Sequence, residues 1–217
     1  MNDRLIGRGA FLGLLGAGAI GVFYARGVTD GVSRLVPGAQ TAIVPSSGWR
    51  IYTIADQMPN IAPSDYRLTV TGQTSGSATL TLDELKALPR TEQVSDFHCV
   101  TGWSVSKVNW AGVRLGDLLD HVGGRAAPAL RFVSAEEPYD DWLTRDQALL
   151  PDVMLAYEMD GLPLSRPHGA PVRLVMPQMY GYKSVKWVQR IELAGAASDG
   201  YWEQRGYDSD AWVGRSN

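Results

Sequence analysis

The residue in this sequence best suited to chemistry is its single cysteine, Cys99. It ends an alternating segment, residues 92–98, that predicts a strand, and polar, glycine-punctuated residues follow it. A thiol at the end of a strand, where a loop begins, is in a position at which rigid scaffolds commonly hold reactive groups. As a thiolate it would serve as a nucleophile or a soft metal ligand, although a lone cysteine is most often a small buried apolar residue.

A cysteine hydrolase is one alternative, with His98 or His168 as its base. Adjacent side chains on a strand point to opposite faces, so His98 is poorly placed to activate Cys99. For His98, a structural role and a role in orienting a neighbouring site residue are the two alternatives. Three histidines and one cysteine in no ligand spacing argue against a zinc site.

The composition favours one domain, with an N-terminal appendage. An apolar content of 45% supports a substantial core, and one cysteine rules out an internal disulfide framework. The net charge is −3 and the basic residues are scattered, which gives no basis for nucleic-acid binding. The sequence contains no haem-attachment motif, no dinucleotide fingerprint and no phosphate-binding loop.

Residues 1–26 predict a hydrophobic anchor or signal segment. Arg4 and Arg8 precede the apolar run 10–25, which is slightly shorter than the roughly 20 residues of a bilayer span. The basic residues before the run favour placing the rest of the chain outside the cytoplasmic membrane. An uncleaved anchor is our first interpretation; a cleaved signal and a buried helix are the alternatives. Residues 27–48, rich in glycine, serine and proline, predict a linker to a domain over residues 49–217.

The hydrophobic pattern of residues 49–217 predicts short strands with short helices between them. Thr81-Leu82-Asp83-Glu84 is a capping box that predicts a helix ending before Pro89. This mixture indicates a mixed, strand-rich α+β domain. The predicted strands are 50–54, 66–72, 92–98, 130–135, 153–159, 171–176 and 184–193, the further helices are 113–122 and 144–149, and 161–164 is a turn.

Three ordered motifs resemble the sulfite oxidase superfamily of molybdopterin-dependent oxidoreductases. The first is Cys99-Val100-Thr101-Gly102-Trp103-Ser104, followed by Trp110 and Leu115. The second runs from His168 through Arg173 to Tyr180 and Trp187. The third comprises Gly200-Tyr201-Trp202-Glu203 and Gly206-Tyr207. The likeness covers residues 49–217 and is greatest to haem-free bacterial members, such as the catalytic subunit of the periplasmic methionine-sulfoxide reductase.

The resemblance implies a sulfite-oxidase-type fold and a molybdenum atom bound to one molybdopterin, with the Cys99 thiolate as metal ligand. A soft, negatively charged sulfur suits a high-valent metal that changes oxidation state. Arg173 interrupts an apolar strand, so its guanidinium needs an anionic or acceptor partner. By resemblance the cofactor-binding residues are Cys99, Ser134, His168, Arg173, Ser184, Val185, Lys186 and Arg50. Structural roles for His168 and Lys186 remain alternatives.

One departure bears on the substrate. Sulfite-oxidising relatives carry Gly-Asn-Arg-Arg after the ligand cysteine, whereas this chain has the uncharged residues Thr101-Gly102-Trp103-Ser104. An S-oxide or N-oxide reductase using two-electron oxygen-atom transfer is therefore favoured over a sulfite oxidase. The alternative is a membrane-tethered, non-catalytic binding domain that retains the fold.

Partners and export also follow from the resemblance. Because no haem motif is present, the enzyme would exchange electrons with an external carrier, such as a membrane cytochrome, in addition to binding a small-molecule substrate. Family members are exported folded by the twin-arginine route. Here Gly9 stands where the second arginine of that signal is expected, which leaves the export route open.

Overall fold

The structure, a computed structural model, describes residues 48–72 and 78–214. This part of the chain is built on two sheets, as the predicted α+β class requires. The first sheet has the order β2-β1-β10-β5-β6 and comprises β1 (Arg67–Gly72), β2 (Ala78–Thr81), β5 (Ala129–Ser134), β6 (Asp140–Thr144) and β10 (Val188–Ala194). The second has the order β3-β4-β7-β8, with β9 on β7, and comprises β3 (Arg90–Cys99), β4 (Trp103–Arg114), β7 (Met154–Met159), β8 (Leu162–Pro163) and β9 (Arg173–Val175).

Three short α-helices connect these strands: α1 (Leu82–Lys86), α2 (Leu115–His121) and α3 (Arg145–Ala148). The predicted capping box begins α1, since the Thr81 hydroxyl accepts from Glu84 N and the Glu84 carboxylate accepts from Thr81 N. A second capping box, Thr144 with Gln147, begins α3. None of the helices in the described ranges has the length and apolarity that crossing a bilayer requires. The predicted segment 1–26 and all but the last residue of the predicted linker 27–48 lie outside those ranges.

Two apolar clusters hold the sheets. The larger one packs the inward side chains of β1, β5 and β10, such as Leu68, Phe132 and Ile191, against those of the helices, such as Leu118. Each such burial contributes about 1.5–3 kcal/mol. The smaller cluster, here named the aromatic cluster, contains Trp49 and Trp110 among aliphatic side chains, with Phe97, Trp103 and Val105 packed against it. It supports the β3–β4 hairpin that ends in Cys99.

The structure corrects several of the predicted boundaries. The predicted helix 113–122 begins only at Leu115, and the predicted turn 161–164 contains β8. Residues 50–52 alternate between exposed and buried side chains and residues 53 and 54 are half-buried, but none of these residues is in a strand. Residues 103–112 belong to the long strand β4, and their polar composition arises because one face of this outer hairpin is exposed. Strand β10 begins at Val188, so residues 184–187 form a loop whose last residue, Trp187, has φ of 50°. Strand β6, which the pattern did not predict, precedes α3.

Candidate active site

Cys99 lies at the turn end of the β3–β4 hairpin. It is the last residue of β3, is half-buried, and pairs with Trp103 across a turn. Gly102 makes the turn possible, because its φ of 89° is a conformation that other residues rarely adopt. The Cys99 sulfur lies 3.1 Å from the Thr101 hydroxyl. The thiol is therefore held on a rigid element and faces a polar turn.

Aromatic side chains surround this hairpin end. The Tyr52 ring is 6.5 Å from the Trp103 ring, and Trp103 packs 5.6 Å from Phe97. Burial raises the pKa of Tyr207. Tyr207 therefore keeps its hydroxyl proton at neutral pH. None of the residues from Val100 to Ser104 carries a charge.

Arg173 is buried at 3% exposure on β9. Its guanidinium donates to the carbonyl oxygens of His168 and Ser184, both at 3.2 Å, and lies over the rings of Phe97 and Trp110. These partners are all neutral, and within the described ranges no carboxylate approaches the guanidinium within 4.0 Å. Burial lowers the pKa of Arg173 to about 10, which still leaves it charged at neutral pH.

Lys186 brings a second cation to the same region. Its Nζ donates to the carbonyl oxygen of Tyr52 at 2.7 Å and lies 4.1 Å from the centre of the Trp187 ring. Burial lowers the pKa of Lys186 to about 7; the charge of Glu136 opposes this shift, and the charge of Arg173 adds to it. A lysine titrating near pH 7 would become fully protonated beside an added anion.

His168 completes this basic group. It is buried, its ring packs 4.9 Å from the Trp49 ring, and its Nδ1 has no hydrogen-bond partner among the described residues. Burial, followed by the charges of Arg173 and Lys186, lowers the pKa of His168 to about 4. A buried arginine cation, a lysine that an added anion would protonate and a neutral histidine with an unused nitrogen form a site that favours a phosphate-bearing ligand.

The loop 184–187 forms one wall of this basic group. The Ser184 hydroxyl accepts from Met176 N at 3.0 Å, and Val185 is fully buried. The Ser134 hydroxyl, at the end of β5, donates to the carbonyl oxygen of Lys186 at 2.8 Å. On the other side Gly169 allows close approach, since a Cβ there would lie 2.9 Å from the Cβ of Lys186. The loop is therefore fixed at both ends.

The structure thus connects most of the predicted site residues. Hydrogen bonds link Arg173 to His168 and Ser184, and Ser134 to Lys186, with Val185 inside the same loop. Phe97, which lies two residues before Cys99 on β3, has its ring 5.6 Å from the guanidinium carbon of Arg173. Arg50 does not join them: it is exposed and makes no side-chain hydrogen bond within the described ranges.

Sequence reasoning missed a buried ionic triad beside the loop. Lys183 Nζ lies 2.5 Å from Asp141 Oδ1 and 2.6 Å from Glu203 Oε1, and all three side chains are buried. Burial raises the pKa of Asp141 to about 8 despite the neighbouring ammonium. The triad joins β6 to the turn Gly181–Lys183 and to Glu203, four residues before Tyr207. Lys183 and Glu203 each lie within one of the three sequence motifs, but nothing in the sequence pairs them with Asp141.

Comparison with known proteins identifies this arrangement. The sequence pattern described as the oxidoreductase molybdopterin binding domain matches residues 55–202. The chain belongs to the molybdopterin-binding oxidoreductase family. It is similar to the uncharacterised oxidoreductase YuiH of Bacillus subtilis, with 36% identity over 68% of this chain and 75% of the relative.

Other members of the molybdopterin-binding family are similarly close. A protein of Azospira oryzae, named provisionally as the protein-methionine-sulfoxide reductase subunit YedZ1, is 35% identical over 74% of this chain and 60% of its own length. Human mitochondrial sulfite oxidase is 34% identical over 69% of this chain and 33% of its own length. The crystal structure of the sulfane dehydrogenase SoxCD from Paracoccus pantotrophus superposes with a TM-score of 0.63 at 25% identity, covering 71% of this chain and 43% of that one. The chain therefore spans only part of the length of these larger proteins.

Membership in the family implies molybdenum held by molybdopterin, and the site fits this group. The unneutralised cations of Arg173 and Lys186 and the unpartnered His168 Nδ1 match an anionic, hydrogen-bonding cofactor. The Cys99 sulfur is a soft donor of the kind that such a metal favours. The sequence-based assignment of the family, the fold and the cofactor is confirmed, and the roles of the individual residues stay predictions.

Proposed function

We propose that this molybdopterin-binding oxidoreductase reduces S-oxides or N-oxides by two-electron oxygen-atom transfer. The observation that carries the proposal is the uncharged surface next to Cys99, formed by Thr101, Gly102 and Trp103 with the ring of Tyr52. An oxyanion such as sulfite requires cationic partners close to the reacting atom. The described cations of the site, Arg173 and Lys186, are instead directed to backbone carbonyls in the proposed cofactor cradle.

The proposed reaction converts an S-oxide, two protons and two electrons into a sulfide and water. When bound, the molybdenum cofactor supplies the two-electron redox chemistry and accepts the oxygen atom. The chain itself binds and orients the substrate through the aromatic side chains beside Cys99. Tyr207 keeps its proton at neutral pH and is the residue proposed to donate it to the substrate oxygen.

The relatives support this proposal without deciding between substrates. The Azospira protein carries a name that refers to methionine-sulfoxide reduction, and the human sulfite oxidase matches with nearly the same identity. Membership in an oxidoreductase family favours catalysis over a tethered, non-catalytic binding domain. Sulfite oxidation is the competing function, because the same cofactor can transfer an oxygen atom either to or from a substrate.

Electron supply and location form the second part of the proposal. The chain has no haem-attachment motif, so we propose that a separate protein, such as a membrane cytochrome, supplies the electrons. The apolar run 10–25 supports an exported enzyme that remains tethered to the outer side of the cytoplasmic membrane.

The deciding experiment is a substrate screen on full-length protein produced in a host that makes the cofactor. Molybdenum content is measured first by mass spectrometry. Reduced methyl viologen is then supplied with dimethyl sulfoxide, methionine sulfoxide or trimethylamine N-oxide, and ferricyanide is supplied with sulfite. Reduction of at least one oxide, with slower or no sulfite oxidation, is the expected result. Metal-loaded protein that oxidises sulfite and reduces none of the oxides would overturn the proposal.

A further inference from the structure

Residues 49–56, here named the strap, cross the candidate active site without belonging to a sheet. Trp49 and Ile51 are buried in the aromatic cluster below the β3–β4 hairpin. Tyr52 is 53% exposed, and its ring lies 6.5 Å from the ring of Trp103, the strand partner of Cys99. The strap thus brings Tyr52 to the mouth of the site. Since it has no sheet pairing, other contacts must hold it there.

Two charged side chains from distant parts of the chain supply those contacts. The Glu136 carboxylate accepts from the backbone N–H of Ile54 at 3.0 Å and from the hydroxyl of Thr53. Lys186 donates to the carbonyl oxygen of Tyr52 at 2.7 Å. Three consecutive strap residues are therefore tied to the edge of the first sheet and to the loop of the proposed cofactor cradle.

Glu136 is itself held rigidly. Its exposure is 4%, and its backbone N–H donates to the Ser134 hydroxyl at 2.9 Å. The same hydroxyl donates to the carbonyl oxygen of Lys186 at 2.8 Å. One serine side chain therefore fixes both groups that hold the strap. A buried carboxylate supplied with two donors is a strong, directional anchor, because hydrogen bonds to charged groups are the strong ones.

We propose that Glu136 is a positioning residue that fixes the strap at Thr53 and Ile54 and thereby sets Tyr52 beside Cys99 for substrate binding. Glu136 acts through the strap and does not touch the substrate. The role in substrate binding rests on the proposed function, whereas the anchoring of the strap is independent of it. Loss of the carboxylate loosens residues 52–54 while Arg173, His168 and the loop 184–187 retain their own contacts.

The neighbouring residue provides a matched control. Glu137 carries the same side chain one position later but is exposed, and it makes no side-chain hydrogen bond within the described ranges. Glu136→Ala and Glu137→Ala therefore remove the same charge and the same atoms, and only the first removes the anchor. Glu136→Gln keeps an acceptor oxygen for Ile54 and is the conservative rescue. Thr53→Val removes only one of the two donors.

The first measurement is amide hydrogen exchange at Ile54 in full-length, cofactor-loaded protein. Glu136→Ala should accelerate this exchange about tenfold or more, since a hydrogen bond to a charged group is lost. Glu137→Ala should leave it within about twofold of the wild type, and Glu136→Gln should lie closer to the wild type than to Glu136→Ala. Equal exchange in Glu136→Ala and Glu137→Ala would overturn the proposal. If Glu136→Ala does not fold, Thr53→Val decides: accelerated exchange at Ile54 supports the anchor, and unchanged exchange contradicts it.

The second measurement separates positioning from general stability. With methionine sulfoxide and reduced methyl viologen, Glu136→Ala should raise KM about fivefold or more at nearly unchanged kcat and molybdenum content, because uniform binding is lost. Faster exchange at Ile54 with unchanged KM would show a structural role alone and contradict substrate positioning. A wild-type enzyme that reduces no oxide would refute the proposed function, whereas the exchange data would still test the anchor.

Discussion

The guanidinium of Arg173 donates to the backbone carbonyl of Ser184 across 3.2 Å, joining β9 to a loop eleven residues further along the chain. The bond satisfies one N–H group of the guanidinium and neutralises none of its charge. Burying a cation without a counter-charge costs free energy, so we expect such a cation to bind an anionic ligand. We therefore predict that Arg173 favours cofactor binding and destabilises the cofactor-free protein.

Replacing Arg173 by methionine should have opposite effects on cofactor binding and on folding. Arg173→Met fills a similar volume with apolar atoms, so the free energy of unfolding of the cofactor-free protein should stay within about 1 kcal/mol of the wild type or rise. Molybdenum content should fall about tenfold or more, since a charge-assisted contact is lost. Urea unfolding and metal analysis test the two effects. The surface variant Arg145→Met should change neither, and full loading of Arg173→Met would refute the assignment.

Cys99→Ser tests the metal ligand with almost no change in shape. The serine hydroxyl can keep the contact with Thr101, so circular dichroism and the melting temperature should resemble those of the wild type. Turnover with reduced methyl viologen should fall by more than the roughly 100-fold that loss of an outer partner of a metal ligand costs. Ser104→Ala, on the strand beyond the turn, serves as the control. Retained turnover in Cys99→Ser would contradict the assignment of the ligand.

Tyr207→Phe removes the hydroxyl that is proposed to protonate the substrate oxygen. General acid catalysis contributes about 10²–10⁴-fold, so kcat should fall by about 100-fold with molybdenum content unchanged. Tyr201→Phe is the control, because Tyr201 packs against Arg205, whose guanidinium lies 3.5 Å from the centre of its ring. A kcat for Tyr207→Phe equal to that of Tyr201→Phe would remove Tyr207 from the proposed mechanism.

The sequence predicted those elements in which local pattern and tertiary environment agree. Residues 66–72 alternate because β1 buries only one set of its side chains, and the Thr81 capping box is complete within four residues. The sequence of residues 50–54 predicts a strand by the same pattern, and yet these residues form no strand. Ile51 enters the aromatic cluster, but residues 50–54 pair with no strand within the described ranges. Alternation of apolar and polar residues predicts which side chains are buried. Whether the segment pairs with a neighbouring strand depends on residues elsewhere in the chain.

The parts of the site that escaped prediction depend on contacts between distant residues. Glu136 meets Thr53 from 83 residues away, and Lys183 meets Asp141 from 42 residues away. No spacing rule in one sequence reveals such pairs. Arg173 could be predicted as a site residue because a single cation does not fit the pattern of an otherwise apolar strand. Tyr207 belongs to the third sequence motif, but its packing against Tyr182 and Trp202 becomes visible only in the fold.

His168 should make the stability of the cofactor-free protein depend on pH. Burial lowers its pKa from 6.5 to about 4 in the folded state, so between these pH values the unfolded chain binds a proton that the folded chain does not. Stability should therefore fall as the pH drops from 6.5 towards 4, by about 1–3 kcal/mol from this residue. Urea unfolding at several pH values should show a weaker dependence for His168→Asn. His121→Asn, at an exposed histidine, should keep the wild-type dependence; equal slopes for both variants would refute the prediction.

The ammonium group of Lys183 should stabilise the fold mainly by neutralising the two buried carboxylates of Asp141 and Glu203. Lys183→Met leaves Asp141 and Glu203 buried without their cation, so the free energy of unfolding should fall by about 3–5 kcal/mol. Adding Asp141→Asn and Glu203→Gln should restore a large part of that loss, because the remaining groups are neutral. Lys86→Met, on the surface over the Tyr157 ring, should cost at most about 1 kcal/mol. If the triple variant were no more stable than Lys183→Met, the loss would reflect packing of the lysine stem and not the unpaired carboxylates.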